Sequence, residues 1–178
     1  MLAFDIETTG LTPADKITAA AVYDPEKNIR ECFLFLVDPD PSKFLGYLDD
    51  ADILCAFNGA RFDIPFMQNQ WKLPSAQVER WILKLVDIYE MSFLAFKRGF
   101  SLNQLLLINK IDCKTGTGKE AITLAKDCKW DDLAEYCMQD TIKTYTVTKQ
   151  ANIMIPLTFA GTEIYMYDLE FQKVLMTA

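Results

Sequence analysis

Asp5 and Glu7 stand one residue apart in the run Leu2-Ala3-Phe4-Asp5-Ile6-Glu7-Thr8-Thr9-Gly10. Successive side chains of a strand point to opposite faces, so Phe4 and Ile6 share one face and the two acids share the other. Adjacent carboxylates repel, and withdrawing them from water is costly. A divalent cation between them relieves both effects. The bland alternative is a half-exposed strand whose solvent face carries two acids. As oxygen ligands, the pair suits hard Mg²⁺ or Mn²⁺.

Two further acids stand in similarly marked surroundings. The apolar stretch Ile53 to Phe57 runs into the Asn58-Gly59 turn, and Asp63 follows just inside a predicted helix. Much later, Tyr136 and Asp140 lie four apart within a helical pattern, so both project from one helix face.

The chain contains no histidine. Ser-His-Asp and Cys-His catalysis are therefore excluded, as is any zinc site built on imidazole. Proton transfer near neutral pH then falls to water activated by a cation, whose pKa bound metal lowers toward roughly 7. Hydrolysis of a phosphodiester fits this inventory, with two ions roughly 3.5–4 Å apart clamping the attacking and leaving oxygens.

The elements that position these residues alternate along the chain. Strands are predicted over Leu2 to Ile6, Ile17 to Tyr23, Glu31 to Val37, Ile53 to Phe57 and Trp81 to Asp87. Asp24-Pro25-Glu26-Lys27-Asn28 reads as the hairpin turn between the second and third. Helices are predicted from the proline-rich segment after Asp38 to near Asp50, over Phe62 to Trp71, Tyr89 to Phe96, Ser101 to Ile108 with Ser101 as N-cap, Lys119 to Lys126, and Asp131 toward Met154. A three-strand meander followed by alternation gives an α/β fold, a mixed five-stranded sheet flanked by helices. One domain over 1–178 is expected, with about 155–178 a closing helix or an interaction tail.

Three motifs in one order carry a resemblance: Asp-x-Glu at Asp5 and Glu7, Asn58 with Phe62-Asp63, and Tyr-x-x-x-Asp at Tyr136 and Asp140. The chain resembles the DEDD family of 3′–5′ exonucleases, which has a ribonuclease H-like fold. The family divides by a His or a Tyr ahead of its last Asp. The histidine would fall at position 135, here Glu135, so the resemblance is to the tyrosine branch. That branch includes the proofreading domains of family-B DNA polymerases and ribonuclease D-like enzymes.

The resemblance implies a central first strand, with Asp5, Glu7, Asp63 and Asp140 as ligands of two divalent cations, Mg²⁺ or Mn²⁺. It implies that Tyr136 orients the attacking water, and that nucleoside 5′-monophosphates leave a single-stranded 3′ end of DNA or RNA. Thr8, Leu11, Asn58 and Phe62 are the expected substrate contacts. Leu11 sits where relatives wedge an apolar side chain against the last base, with core packing as the alternative. For Phe62 core packing is favoured. Asn58 is expected to shape the loop that aims Asp63, with helix capping as its alternative. The rival functions are a non-cleaving nucleic-acid or partner-binding module and a hydrolase of short oligonucleotides.

Charge and cysteine usage bound the rest. The net charge of −7 opposes phosphate binding in general, although cations at the four acids would offset part of it. Between positions 97 and 119, Lys97, Arg98, Lys110, Lys114 and Lys119 face a single acid, Asp112. That excess could steer a phosphate backbone or simply be solvated helix ends. Lys114 to Lys119 fails as a phosphate loop, because Glu120 stands where Ser or Thr belongs. Five scattered cysteines, with Cys55 and Cys137 in apolar stretches, point to a reduced intracellular compartment, cytoplasm or nucleus. No apolar stretch approaches a membrane span and no signal peptide opens the chain; a monomer is expected, with a protein partner at the C-terminal tail if that segment is a contact surface.

Overall fold

The computed structural model describes residues 1–12, 14–96, 98–112, 118–151, 155–159 and 162–166. Strand β1 (Leu2–Thr8) lies at the centre of a five-stranded sheet. It pairs antiparallel with β2 (Ile17–Asp24), which pairs antiparallel with β3 (Ile29–Leu34). On its other side β1 runs parallel to β4 (Leu54–Ala56), and β4 to β5 (Leu85–Asp87). The strand order is β3-β2-β1-β4-β5, a ribonuclease H-like arrangement as expected.

The two faces of the sheet are covered differently. Phe4 and Ile6 of β1 and Ala20 and Val22 of β2 enter a large apolar cluster. That cluster is closed by helices α1 (Ser42–Asp50), α2 (Asp63–Trp71) and α3 (Ser75–Leu83). Fully burying an aromatic such as Phe4 contributes about 1.5–3 kcal/mol. The opposite face presents the small side chains Ala3, Ala19 and Ala21. These let the long helix that spans Trp130–Ala151 lie close against β1 and β2.

Two expectations are corrected here. The predicted strand over Trp81 to Asp87 is a strand only from Leu85; residues up to Leu83 belong to α3. Val78, Trp81 and Ile82 at helical spacing pack on the core, the Trp81 indole donates to Asp49 at 2.8 Å, and Leu83 is 67% exposed, which a buried central strand would not allow. The third strand begins two residues earlier than Glu31, because Asn28 takes the left-handed conformation (φ 55°) that closes the hairpin, and it ends at Leu34, leaving Leu36 and Val37 exposed.

The remaining helices are α4 (Ile88–Phe96), α5 (Leu102–Ile108), α6 (Gly118–Lys126) and, in chain order, α7 for Trp130–Ala151. Ser101 caps α5 as expected, in a reciprocal box with Gln104. Ile155–Phe159 and Thr162–Met166 pair as antiparallel strands β6 and β7, so the closing-helix expectation fails over those segments, as alternating Ile-Pro-Leu-Thr-Phe suits a strand better. Residues 167–178 lie outside the described residues. No described helix is long and apolar enough to cross a membrane.

Candidate active site

The odd residues of β1 face α7. Register pairs Asp5 with Ala21 and Glu7 with Ala19, and those alanines pack against Leu133, Cys137 and Met138 of α7. Both carboxylates therefore project into the seam between the central strand and the helix. Cys137 Sγ lies 3.8 Å from the Asp5 carbonyl and 4.0 Å from its Oδ2. Ligand atoms of Asp5, Glu7 and Cys137 fall within 4.8 Å of one another, a cluster able to hold a metal ion.

Tyr136 and Asp140 flank Cys137 on the same helix. Asp140 is buried, and the Tyr136 hydroxyl is buried while its side chain packs against the apolar cluster between the sheet and α7. Both residues thus lie on α7, the helix that packs against β1 and β2, although neither Asp140 nor Asp63 belongs to the 4.8 Å group.

Asp63 arrives from a different direction. β4 pairs with β1 only at Leu2 and Ala3, so beyond Ala3 the β4-side edge of β1 has no strand beside it. Leu2 N–H donates to Ile53 on that side; Ile6, four residues on, points the same way. Its N–H is taken by Asp63 Oδ1 at 3.1 Å. Asp63 is the first residue of α2 and is 3% exposed. Burial, and after it the Asp87 charge, push its carboxyl up to about 7 against the pull of the Ile6 hydrogen bond. A cation at Asp63 would offset both causes, so the donor set fits a hard divalent ion: three buried or half-buried carboxylates around β1, joined by Asp140 from α7.

Asp87 is a site residue that sequence reasoning missed. It closes β5 and opens α4, accepting from Tyr89 N–H at 3.0 Å and Glu90 N–H at 3.4 Å. Its two oxygens also take Asn58 N–H and Ala60 N–H, each at 2.9 Å. One carboxylate thereby caps a helix and clamps the loop that leads to Asp63. Burial raises its pKa, and the four amides oppose that rise. The detectable signal was an Asp at the end of a strand and the start of a helix.

Asn58 shapes this loop through its backbone. It takes the left-handed conformation (φ 65°), which Asn tolerates well, and its carbonyl accepts from Phe62 N–H at 2.9 Å. It is absent from the lining of the cavity beside the acids. Gly59 is required next to it, since a Cβ there would come within 2.6 Å of Ala56 Cβ.

That cavity, of about 450 Å³, is lined by Ile6, Glu7, Thr8, Leu11, Phe62, Lys119 and Ile122. Three of the four expected substrate contacts, Thr8, Leu11 and Phe62, thus meet beside Glu7. Leu11 is 80% exposed, which removes core packing as its explanation. Its loop is ordered by Asp15, which accepts from Thr12 N–H (2.9 Å), the Thr12 hydroxyl (2.6 Å) and the Thr9 hydroxyl (3.1 Å). Those hydrogen bonds, Thr12 foremost, hold the Asp15 carboxyl below its usual range. Phe62 is half-buried, its ring 5.4 Å from that of Phe66. Lys119, exposed at the start of α6, brings the one end of the basic segment 97–119 to the cavity; Lys97 and Lys114 lie outside the described residues.

Comparison with known proteins agrees with this fold. The RNase H superfamily model, RNase_H_2, matches residues 2–152, and the chain belongs to that superfamily, a nuclease-type fold whose members generally use divalent cations. Among solved structures it is similar to the family B DNA polymerase from the hyperthermophilic archaeon Pyrobaculum calidifontis, with a TM-score of 0.69 and 19% identity. The match covers 84% of this chain but 24% of the polymerase, so this chain corresponds to about a quarter of it. No curated protein matches the chain.

Proposed function

We propose that this chain is a divalent-metal-dependent 3′–5′ exonuclease of the DEDD tyrosine branch, releasing nucleoside 5′-monophosphates from a single-stranded end. One observation carries the reading: Asp5 and Glu7 face the α7 segment that bears Tyr136 and Asp140, while Asp63 is pinned to Ile6 between them. Two of the three motifs thereby meet at the central strand, and the third lies on the helix that covers it. The structural likeness to a family B polymerase supports the same branch, to which proofreading domains belong.

Asp5, Glu7, Asp63 and Asp140 would hold two divalent ions, Mg²⁺ or Mn²⁺, which would supply Lewis acidity at the scissile phosphate and a lowered pKa for water. The protein supplies position. Asp5, in the seam between β1 and α7, would be the ligand common to both ions. Tyr136 donates its hydroxyl to the attacking water and aligns it with phosphorus. Leu11 meets the terminal base from the ordered loop, and Thr8 and Phe62 line the space for the last nucleotide. Lys119 adds positive charge for the backbone that follows.

The test is digestion of matched DNA and RNA single strands, labelled and blocked at either end, with Mg²⁺, Mn²⁺ or EDTA. Metal-dependent shortening from an open 3′ end, abolished by a 3′ block alone, is the expected result. Binding without shortening would instead identify a non-cleaving module, and cleavage confined to dinucleotides a short-oligonucleotide hydrolase.

A further inference from the structure

A second chemical group sits behind the acids and takes no part in the proposed reaction. The sheet register pairs Asp5 with Ala21 and Ala21 with Cys32, so these three residues lie side by side on the face that α7 covers. The Ala21 methyl leaves room above itself, and Cys137 of α7 fills it. Cys32 packs against the small cluster that contains Cys137, and the Cys137 thiol reaches Asp5 on its other side. Cys137 is fully buried; Cys32, on β3, is half-buried and opens the pair to solvent.

We propose that Cys32 and Cys137 form a reversible thiol–disulfide site that turns the adjacent metal centre off when oxidised. Its effect on catalysis rests on the exonuclease reading; the disulfide chemistry does not. A hydroperoxide supplies the oxidising equivalents. The Cys32 sulfur attacks the peroxide O–O bond, becoming a sulfenic acid and releasing water or an alcohol. The Cys137 sulfur then displaces the sulfenic hydroxyl, which leaves with the thiol proton as water, and the S–S bond forms. Two electrons pass from the thiols to the peroxide, and a small dithiol returns them.

Covalent bonding brings the two sulfurs to about 2.05 Å from each other. Cys137 is pulled from Asp5 toward β3, and α7 moves with it. Tyr136 and Asp140 flank Cys137, so both lose register with Asp5 and Glu7. Misplacement of catalytic groups by 1 Å can cost about 10²-fold in rate.

The experiment treats the full reduced chain and Cys32→Ser with hydrogen peroxide, then with dithiothreitol. Three readouts follow: peptide mass spectrometry, Mn²⁺ affinity and exonuclease rate. The expected result is a Cys32–Cys137 cross-linked peptide in the wild type, with Mn²⁺ affinity and rate both lowered at least ~10-fold and restored by dithiothreitol. Cys32→Ser keeps its affinity and rate under peroxide. The proposal is overturned if no cross-linked peptide forms at saturating peroxide, if it forms without changing Mn²⁺ affinity, or if Cys32→Ser loses affinity equally. Should the reduced protein cleave nothing, the exonuclease reading fails, and the peptide and Mn²⁺ readouts still decide this one.

Discussion

Asp63 Oδ1 accepts the main-chain N–H of Ile6 at 3.1 Å, across 57 residues of sequence, so an acid from the start of α2 is clipped to the central strand between Asp5 and Glu7. The contact is buried, and it ties the second motif to the first without a side chain of β1 being used.

Burial of the Asp63 carboxyl, with the Asp87 charge beside it, makes metal-free stability depend on pH. The Asp63 carboxyl titrates near 7 in the folded chain against an ordinary 3.8, so between those values the native state holds a proton that the unfolded chain has released. Stability therefore falls as pH rises from about 4 to about 7 and levels off above. Thermal melts in EDTA are expected to show this slope. Asp63→Asn flattens it, and saturating Mg²⁺ reverses it by favouring the ionised form. A metal-free melting temperature that rises over that interval in parallel for wild type and Asp63→Asn would contradict the assignment.

Removing Asp5 and trimming Tyr136 should have unequal effects. Asp5→Ala is expected to lower the cleavage rate by several orders of magnitude with an unchanged circular dichroism spectrum, because it removes a ligand. Tyr136→Phe, which removes only the hydroxyl that orients water, should cost on the order of 10²-fold in kcat. Small and equal losses would count against both roles.

Asp87→Ala leaves four buried or half-buried amides, at Asn58, Ala60, Tyr89 and Glu90, without their acceptor. A loss of about 3 kcal/mol in urea denaturation is expected. The same variant removes the charge that helps raise Asp63, so the pH at which stability levels off should move down. A loss below about 0.5 kcal/mol, the level of an ordinary surface change, would show that the clamp carries no weight.

Leu11→Ala tests the cavity without touching the core, since that side chain is 80% exposed. The melting temperature should not move, while kcat/KM for single strands falls several-fold, up to about 10-fold, as base contact is lost. An unchanged kcat/KM would remove Leu11 from the substrate site.

Much of this arrangement was legible in the residues because it depends on local periodicity. The alternation of Phe4 and Ile6 with Asp5 and Glu7 predicts the two faces of β1, and the spacing of Tyr136 and Asp140 predicts their common helix. Helix α3 was not legible, because Trp81-Ile82-Leu83-Lys84-Leu85-Val86 is as apolar as a buried strand and its helical partner Val78 sits among polar residues. Asp87 acts through amides of a loop some 27 to 29 residues away, which no local pattern records. Cys137 read as a buried thiol, and it is one; its contact with Asp5 spans 132 residues and exists only once α7 lies over β2.

The most direct test of the two-ion site is anomalous scattering from crystals grown with Mn²⁺ and a nucleoside 5′-monophosphate. Two peaks are predicted, roughly 3.5–4 Å apart, bounded by Asp5, Glu7, Asp63 and Asp140 and with Tyr136 beside the phosphate. No peak at these carboxylates, or manganese bound only elsewhere on the surface, would contradict it.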